Sequence, residues 1–199
     1  MGVRIFSLAK IAVPALLLAL SGCISLGGKV PPSLLTLTAD KQVPAGTTAS
    51  GTIAGAILVM EPETDQRLAV PRVPVQVDDT KVAYLTGTAW VERPSRLFRS
   101  LLAETLRTRT GALVIEDTQA APSDGMRLSG KLLDMGYDAR TGSVVVRFDA
   151  MRTSTTGAIV TKRFESIVPG IAPKAEAVGP ALNQAANAVA HQVADWLVS

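Results

Sequence analysis

Few side chains in this 199-residue chain are placed to do chemistry, because it holds one cysteine, Cys23, and one histidine, His191. A thiolate can act as a nucleophile or a metal ligand, and a thiol can also join a disulfide or accept a covalent lipid. With a single cysteine, no intrachain disulfide can form. His191 falls with Asn183, Asn187 and Asp195 on the polar side of a helical pattern. A lone histidine there reads as an exposed or capping residue rather than a general base or metal ligand. Asp78 and Asp79 are adjacent, and neighbours in an extended segment point to opposite faces. They therefore read as turn residues, not as a general acid–base pair. No G-x-x-x-x-G-K-[ST], G-x-S-x-G or H-E-x-x-H pattern occurs. The chain reads as a non-enzyme without a metal site.

The position of Cys23 gives its purpose. Arg4 and Lys10 make a short basic start, and Ile11 to Leu20 (IAVPALLLAL) is an uncharged apolar run. That run is about ten residues, half of the ~20 a helix needs to cross ~30 Å of hydrocarbon. Basic start, short apolar core and small residues before a cut site form the pattern of a secretory signal, which is removed. Leu20-Ser21-Gly22-Cys23 resembles the bacterial lipobox. On that reading, cleavage after Gly22 makes Cys23 the acylated N-terminus, and the only prosthetic group is its covalent lipid. One acyl chain holds a bilayer only marginally, whereas two or more hold it durably. Residue 24 is Ile and not Asp, which by analogy with such lipoproteins places the chain on the periplasmic face of the outer membrane.

Three stretches follow: residues 1–22 as signal, 23–33 as acylated cysteine and Gly/Pro-rich tether (ISLGGKVPPS after Cys23), and 34–199 as one domain. About 177 residues suffice for a domain that buries roughly 70% of its unfolded surface. The formal charge of +3 falls to about +1 once Arg4 and Lys10 leave. With no basic stripe interleaved with aromatics, nucleic acid is excluded as a partner.

The elements that would position any site follow from periodicity. Leu34 to Thr38, Ala56 to Met60, Val75 to Val77 and Val82 to Leu85 read as short strands, with a small-residue loop from Val43 to Gly55. From Pro94 to Arg109, Leu97, Phe98, Leu101, Leu102 and Leu106 share one helical face, while Arg96, Arg99, Ala103, Glu104 and Arg107 share the other. In Met126 to Tyr137 the alternation slips by one residue after Leu132, which marks a bulge. Val144 to Ala150 and Ala158 to Val168 complete an antiparallel meander. The last helix has its firm part from Ala181 to Val198, because Pro180 limits how far back it runs. The fold class expected is α+β, a mainly antiparallel sheet packed by two amphipathic helices at about 94–110 and 181–198. Trp90 and Trp196 read as core anchors. Arg96, Arg99 and Arg107, with the loop from Val43 to Gly55, are the candidate partner contacts.

The stretch Pro74 to Asp117, Trp90 before a Leu-rich helix, and Trp196-Leu197 closing an Ala-rich helix resemble the ABC-type transport auxiliary lipoprotein family. That resemblance implies a non-enzymatic component of a lipid-transport machine, working with an ABC permease, its ATPase and a periplasmic MCE-domain protein. It also implies that at least some members form homo-oligomeric rings. Two roles compete on this reading: a docking component between the MCE protein and the outer membrane, or a periplasmic carrier that binds lipid itself. An envelope hydrolase lacks its nucleophile and base. Replacing the acylated residue (Cys23→Ala) is expected to release the chain into the soluble periplasmic fraction and to abolish fatty-acid labelling, as read by intact mass.

Overall fold

A 13-residue strand with apolar side chains on two different alternations organises the fold. The computed structural model describes residues 33–116 and 125–198; Cys23, Gly22 and most of the tether lie outside them. In chain order the strands are β1 (Leu34–Leu35), β2 (Ile57–Val59), β3 (Glu63–Thr64), β4 (Pro74–Gln76), β5 (Val82–Tyr84) and β6 (Ala89–Trp90), followed by β7 (Val114–Glu116), β8 (Met126–Asp138), β9 (Ser143–Thr153) and β10 (Ile159–Val168). Two helices accompany them, α1 (Pro94–Thr110) and α2 (Ala175–Leu197).

β8, β9 and β10 form the antiparallel meander, with Leu132 opposite Phe148 and Asp134 opposite Arg147. Two steps on β8 thus match one on β9, leaving Leu133 as the extra residue of a bulge. The bulge keeps Leu128, Leu132, Met135 and Tyr137 buried on the helix side although their spacing changes from four and three to two. Along its other edge β8 pairs in turn with β2, β3 and β4, each parallel to it. β7 pairs parallel to β2, and β5 antiparallel to β4. The sheet is therefore mixed, with its longest pairings antiparallel, and α1 and α2 pack side by side against one face.

The helix–sheet interior is filled. Phe98 of α1 meets Phe148 of β9 edge to face, 5.3 Å between centroids, a favoured aromatic geometry. Leu102, Leu106, Leu182, Ala186, Val189 and Val193 close around them at 1% exposure or less. α1 starts with Pro94 in its first turn and ends at Gly111, whose φ of 64° lets its N–H return to the Arg107 carbonyl. Ala103, expected on the outer face, is fully buried, because α1 is covered by α2 as well as by the sheet.

Two expectations from periodicity are corrected. α2 begins at Ala175, six residues before Ala181, and runs through Pro180. Proline clashes with the Cβ of the residue before it, and here that residue is Gly179, which has none. Pro180 also lies close enough to the helix start to remove only one early hydrogen bond. The first strand is shorter than expected: only Leu34–Leu35 pairs, parallel to β6, and the residues after it leave the sheet for the helices.

Gly130 sits inside β8 with φ 146°, and a Cβ there would run into the Asp149 carbonyl oxygen of β9. Gly130→Ala is expected to destabilise the domain by about 2–4 kcal/mol in urea unfolding, since a backbone atom cannot swing aside.

Candidate functional site

The residues after β1 form a strap across the two helices, held by side chains that a helical wheel shows only as a polar face. The Thr38 N–H donates to Asn183 Oδ1 at 2.8 Å and the Asp40 N–H to Asn187 Oδ1 at 3.0 Å. Asn187 Nδ2 returns a bond to the Thr38 carbonyl at 2.9 Å. One amide thus reads a strand's donor and its acceptor, much as a neighbouring strand would. Asn187 is buried, so these partners are needed to satisfy it. His191, one turn further along α2, places Nε2 3.3 Å from Asp40 Oδ2. On the other side, the Val43 N–H donates to Glu104 Oε1 of α1 at 2.6 Å. Leu35 packs where Gly179 leaves no Cβ. The strap therefore joins the N-terminal end of the described domain to both helices.

The three candidate arginines of α1 are already engaged within the chain. Arg99 lies 3.4 Å from Glu116, Arg107 bridges Glu104 and Glu116 at 3.3 and 3.2 Å, and Arg96 reaches Glu61 at 3.5 Å. They lace α1 to β7 and to the segment after β2, and Ser95 adds a 2.6 Å hydrogen bond to Glu61. Arg96 is half exposed, whereas Arg99 and Arg107 are largely covered. The loop from Pro44 to Gly55 is exposed throughout, and Ile53 projects from its short 3-10 turn.

The sheet face turned away from the helices carries a charged lattice. Arg163 grips Asp149 through two bonds of 2.6 and 2.7 Å. Arg147 joins Asp134 to Glu165. Arg67 donates to Asp134 at 2.8 Å and to the carbonyl of the bulge residue Leu133 at 2.5 Å. A hollow of about 340 Å³ at this end, lined by Arg67, Asp134, Tyr137 and Arg140 among others, has mostly polar and charged walls. Asp78 and Asp79 do not act as a pair: Asp78 closes its own turn through Thr80 and Lys81, while Asp79 meets Arg140. The Arg163 hydrogen bonds hold Asp149 below the usual carboxylate range, against a smaller opposing effect of desolvation.

Trp90 is buried in the core, and Trp196 packs at the rim against Phe164 with the Arg152 guanidinium 5.2 Å above its ring. Among the described residues, no group of three or more His, Cys, Asp or Glu is placed to hold a metal ion, and no helix is long and apolar enough to cross a membrane. The clamp residues Asn183 and Asn187 were legible only as polar positions four apart; what they grip lies some 145 residues away in sequence.

Comparison with known proteins gives this two-helix, mixed-sheet domain a family. The model of the ABC-type transport auxiliary lipoprotein component matches residues 35–194, and the chain belongs to that family. It is thus a lipoprotein-type auxiliary component of ABC-type transport. In fold it resembles the crystal structure of protein XCC0632 from Xanthomonas campestris, 16% identical, at TM-score 0.66, over 83% of this chain and 95% of that one. A crystal structure of an uncharacterized protein, 15% identical, overlaps at TM-score 0.63 over 72% of this chain and 92% of that one. No curated protein matches the chain.

Two predictions follow from these contacts. Asn187→Ala is expected to lose about 1–3 kcal/mol and to raise amide exchange selectively at Asp40, whose N–H it accepts, while Thr38 stays bonded to Asn183. Because the folded-state pKa of Asp149 is lowered, its contribution to stability is full above the unfolded carboxylate value near 4 and is lost as pH falls below it. Asp149→Asn should therefore flatten the acid limb of the stability–pH curve, measured by urea unfolding between about pH 2 and 6.

Proposed function

We propose that the chain is anchored by acylated Cys23 in the outer membrane, facing the periplasm. There it serves as a docking and assembly component between that membrane and a periplasmic MCE-domain protein of an ABC-type lipid transporter. It performs no chemistry of its own and needs no cofactor beyond the lipid on Cys23.

The observation that carries this reading is the filled interior. A lipid carrier needs an apolar cavity of several hundred cubic ångströms. The space between helices and sheet is instead occupied by Phe98, Phe148, Leu102, Leu106, Leu182 and Val189, all at 1% exposure or less. Recognition then belongs to the surface, where the loop Pro44–Gly55 is exposed. The strap supports the same role, since it would tie a membrane-tethered N-terminus to both helices. Durable acylation also argues against a shuttle, which has to leave the membrane.

The first test is gentle solubilisation of the acylated protein from its own membranes, followed by mass spectrometry of what accompanies it. The docking role predicts an MCE-domain protein with ABC components behind it. Recovery alone, with stoichiometric phospholipid, would favour the carrier. To probe the α1 face, Arg96, Arg99 and Arg107 should be changed to Gln rather than Glu. Charge reversal would set three new carboxylates against Glu61, Glu104 and Glu116, so lost binding would report misfolding. Normal partner recovery by the folded Gln variant removes this face as the contact.

A further inference from the structure

On the open face of the sheet, Arg67, Arg147 and Arg163 each hold a carboxylate. Arg127 does not. It lies on β8 before the bulge, opposite Thr153 of β9. Among the described residues its Nε is buried without a hydrogen-bond partner, and so is the hydroxyl of Ser129, two residues on and on the same face. Lys131, the next residue of that row, is exposed. All three line a hollow of about 510 Å³ to which Met60 and Met151 add apolar surface. Carboxylates also border it, but two are committed elsewhere: Glu61 to Ser95 and Arg96, and Asp149 to Arg163. Glu63 and Asp149 both stand opposite Lys131 on the neighbouring strands, whereas Arg127 faces Thr153, so among the described residues Arg127 is the cation of this hollow with no carboxylate across from it.

A guanidinium N–H withdrawn from water without an acceptor is unfavourable, and so is a buried hydroxyl with none. Both are satisfied at once by an oxyanion. Alternate residues of a strand stand about 6.6 Å apart on one face, so the long side chains of Arg127 and Lys131 can converge over Ser129. Guanidinium, ammonium and hydroxyl are together a phosphate-binding set. The methionines beside them would accommodate an apolar group carried by the same molecule.

We propose that this hollow binds a phosphate group, with Arg127 as its principal ligand and Ser129 and Lys131 completing the site, and that the phosphate is carried on a lipid headgroup. The site is a surface rest for a headgroup, not a chamber for acyl chains, and it stands or falls independently of the docking reading.

The test uses the full acylated chain in an uncharged detergent, titrated calorimetrically with inorganic phosphate and separately with dihexanoylphosphatidylglycerol, with micelle-only blanks subtracted. Saturable binding is expected, weakened at least about tenfold by Arg127→Gln and less by Arg127→Lys. Arg147→Gln, on the same face but beyond the bulge, should leave it within about twofold, since Asp134 keeps Arg67. Circular dichroism and urea midpoints establish that each variant is folded. Tighter binding of the lipid, with the margin lost in Met151→Ser, supports the headgroup as source. Equal binding of the two probes keeps the phosphate site but overturns the lipid source. No saturable binding of either probe, an Arg127→Gln variant that binds like the parent, or an equal loss in Arg147→Gln overturns the site.

Discussion

β8 carries its apolar side chains toward the helices on both sides of Leu133, and most of the molecule is arranged along it. A strand of 13 residues with strict alternation would turn either its first half or its second half away from the core. One extra residue resolves this, at the expense of a carbonyl that leaves the ladder. Arg67 supplies the missing donor and brings Asp134 with it. The same bulge divides the open face. Beyond it Arg67 and Arg147 hold Asp134, and Arg147 also Glu165; before it Arg163 holds Asp149, while the Arg127 Nε and the Ser129 hydroxyl have no hydrogen-bond partner among the described residues.

The helix side shows how a small-residue helix is made to pack. α2 presents Ala181, Ala185, Ala186, Ala190 and Ala194 among its buried residues, which lets α1 and the sheet approach closely around Phe98 and Phe148. Little remains for a ligand inside. The polar positions of α2 are equally committed: Asn183 and Asn187 replace the strand neighbour that the segment after β1 lacks.

Charge on this surface is mainly structural. The α1 arginines pair with Glu61, Glu104 and Glu116 and thereby lace the helix to the sheet edge. Partly exposed pairs of this kind contribute little each, of order 1 kcal/mol or less, but together they fix which surfaces stay available. Unpaired groups consequently say more about binding than the number of charges does.

The sequence by itself determined what depends on neighbours a few residues apart. The Leu-rich helix from Pro94 to its Gly111 stop, the alternation of β9 and the phase slip after Leu132 are all local patterns, and each reappears in the fold. The α+β class followed from them. Tertiary structure decided what depends on distant partners: the burial of Ala103 by a second helix, the pairing of β2, β3 and β4 along one edge of β8, and the grip of Asn187 on Thr38. Pro180 shows the boundary between the two. Its helix-breaking tendency is local and was legible, but Gly179 before it relieves the clash, and the packing of Leu35 against that glycine rewards continuing the helix. Nor could the arginines be sorted from sequence into paired and free, because counter-charges such as Glu61, Glu116, Asp134 and Asp149 lie on other elements and only folding brings them within about 4 Å.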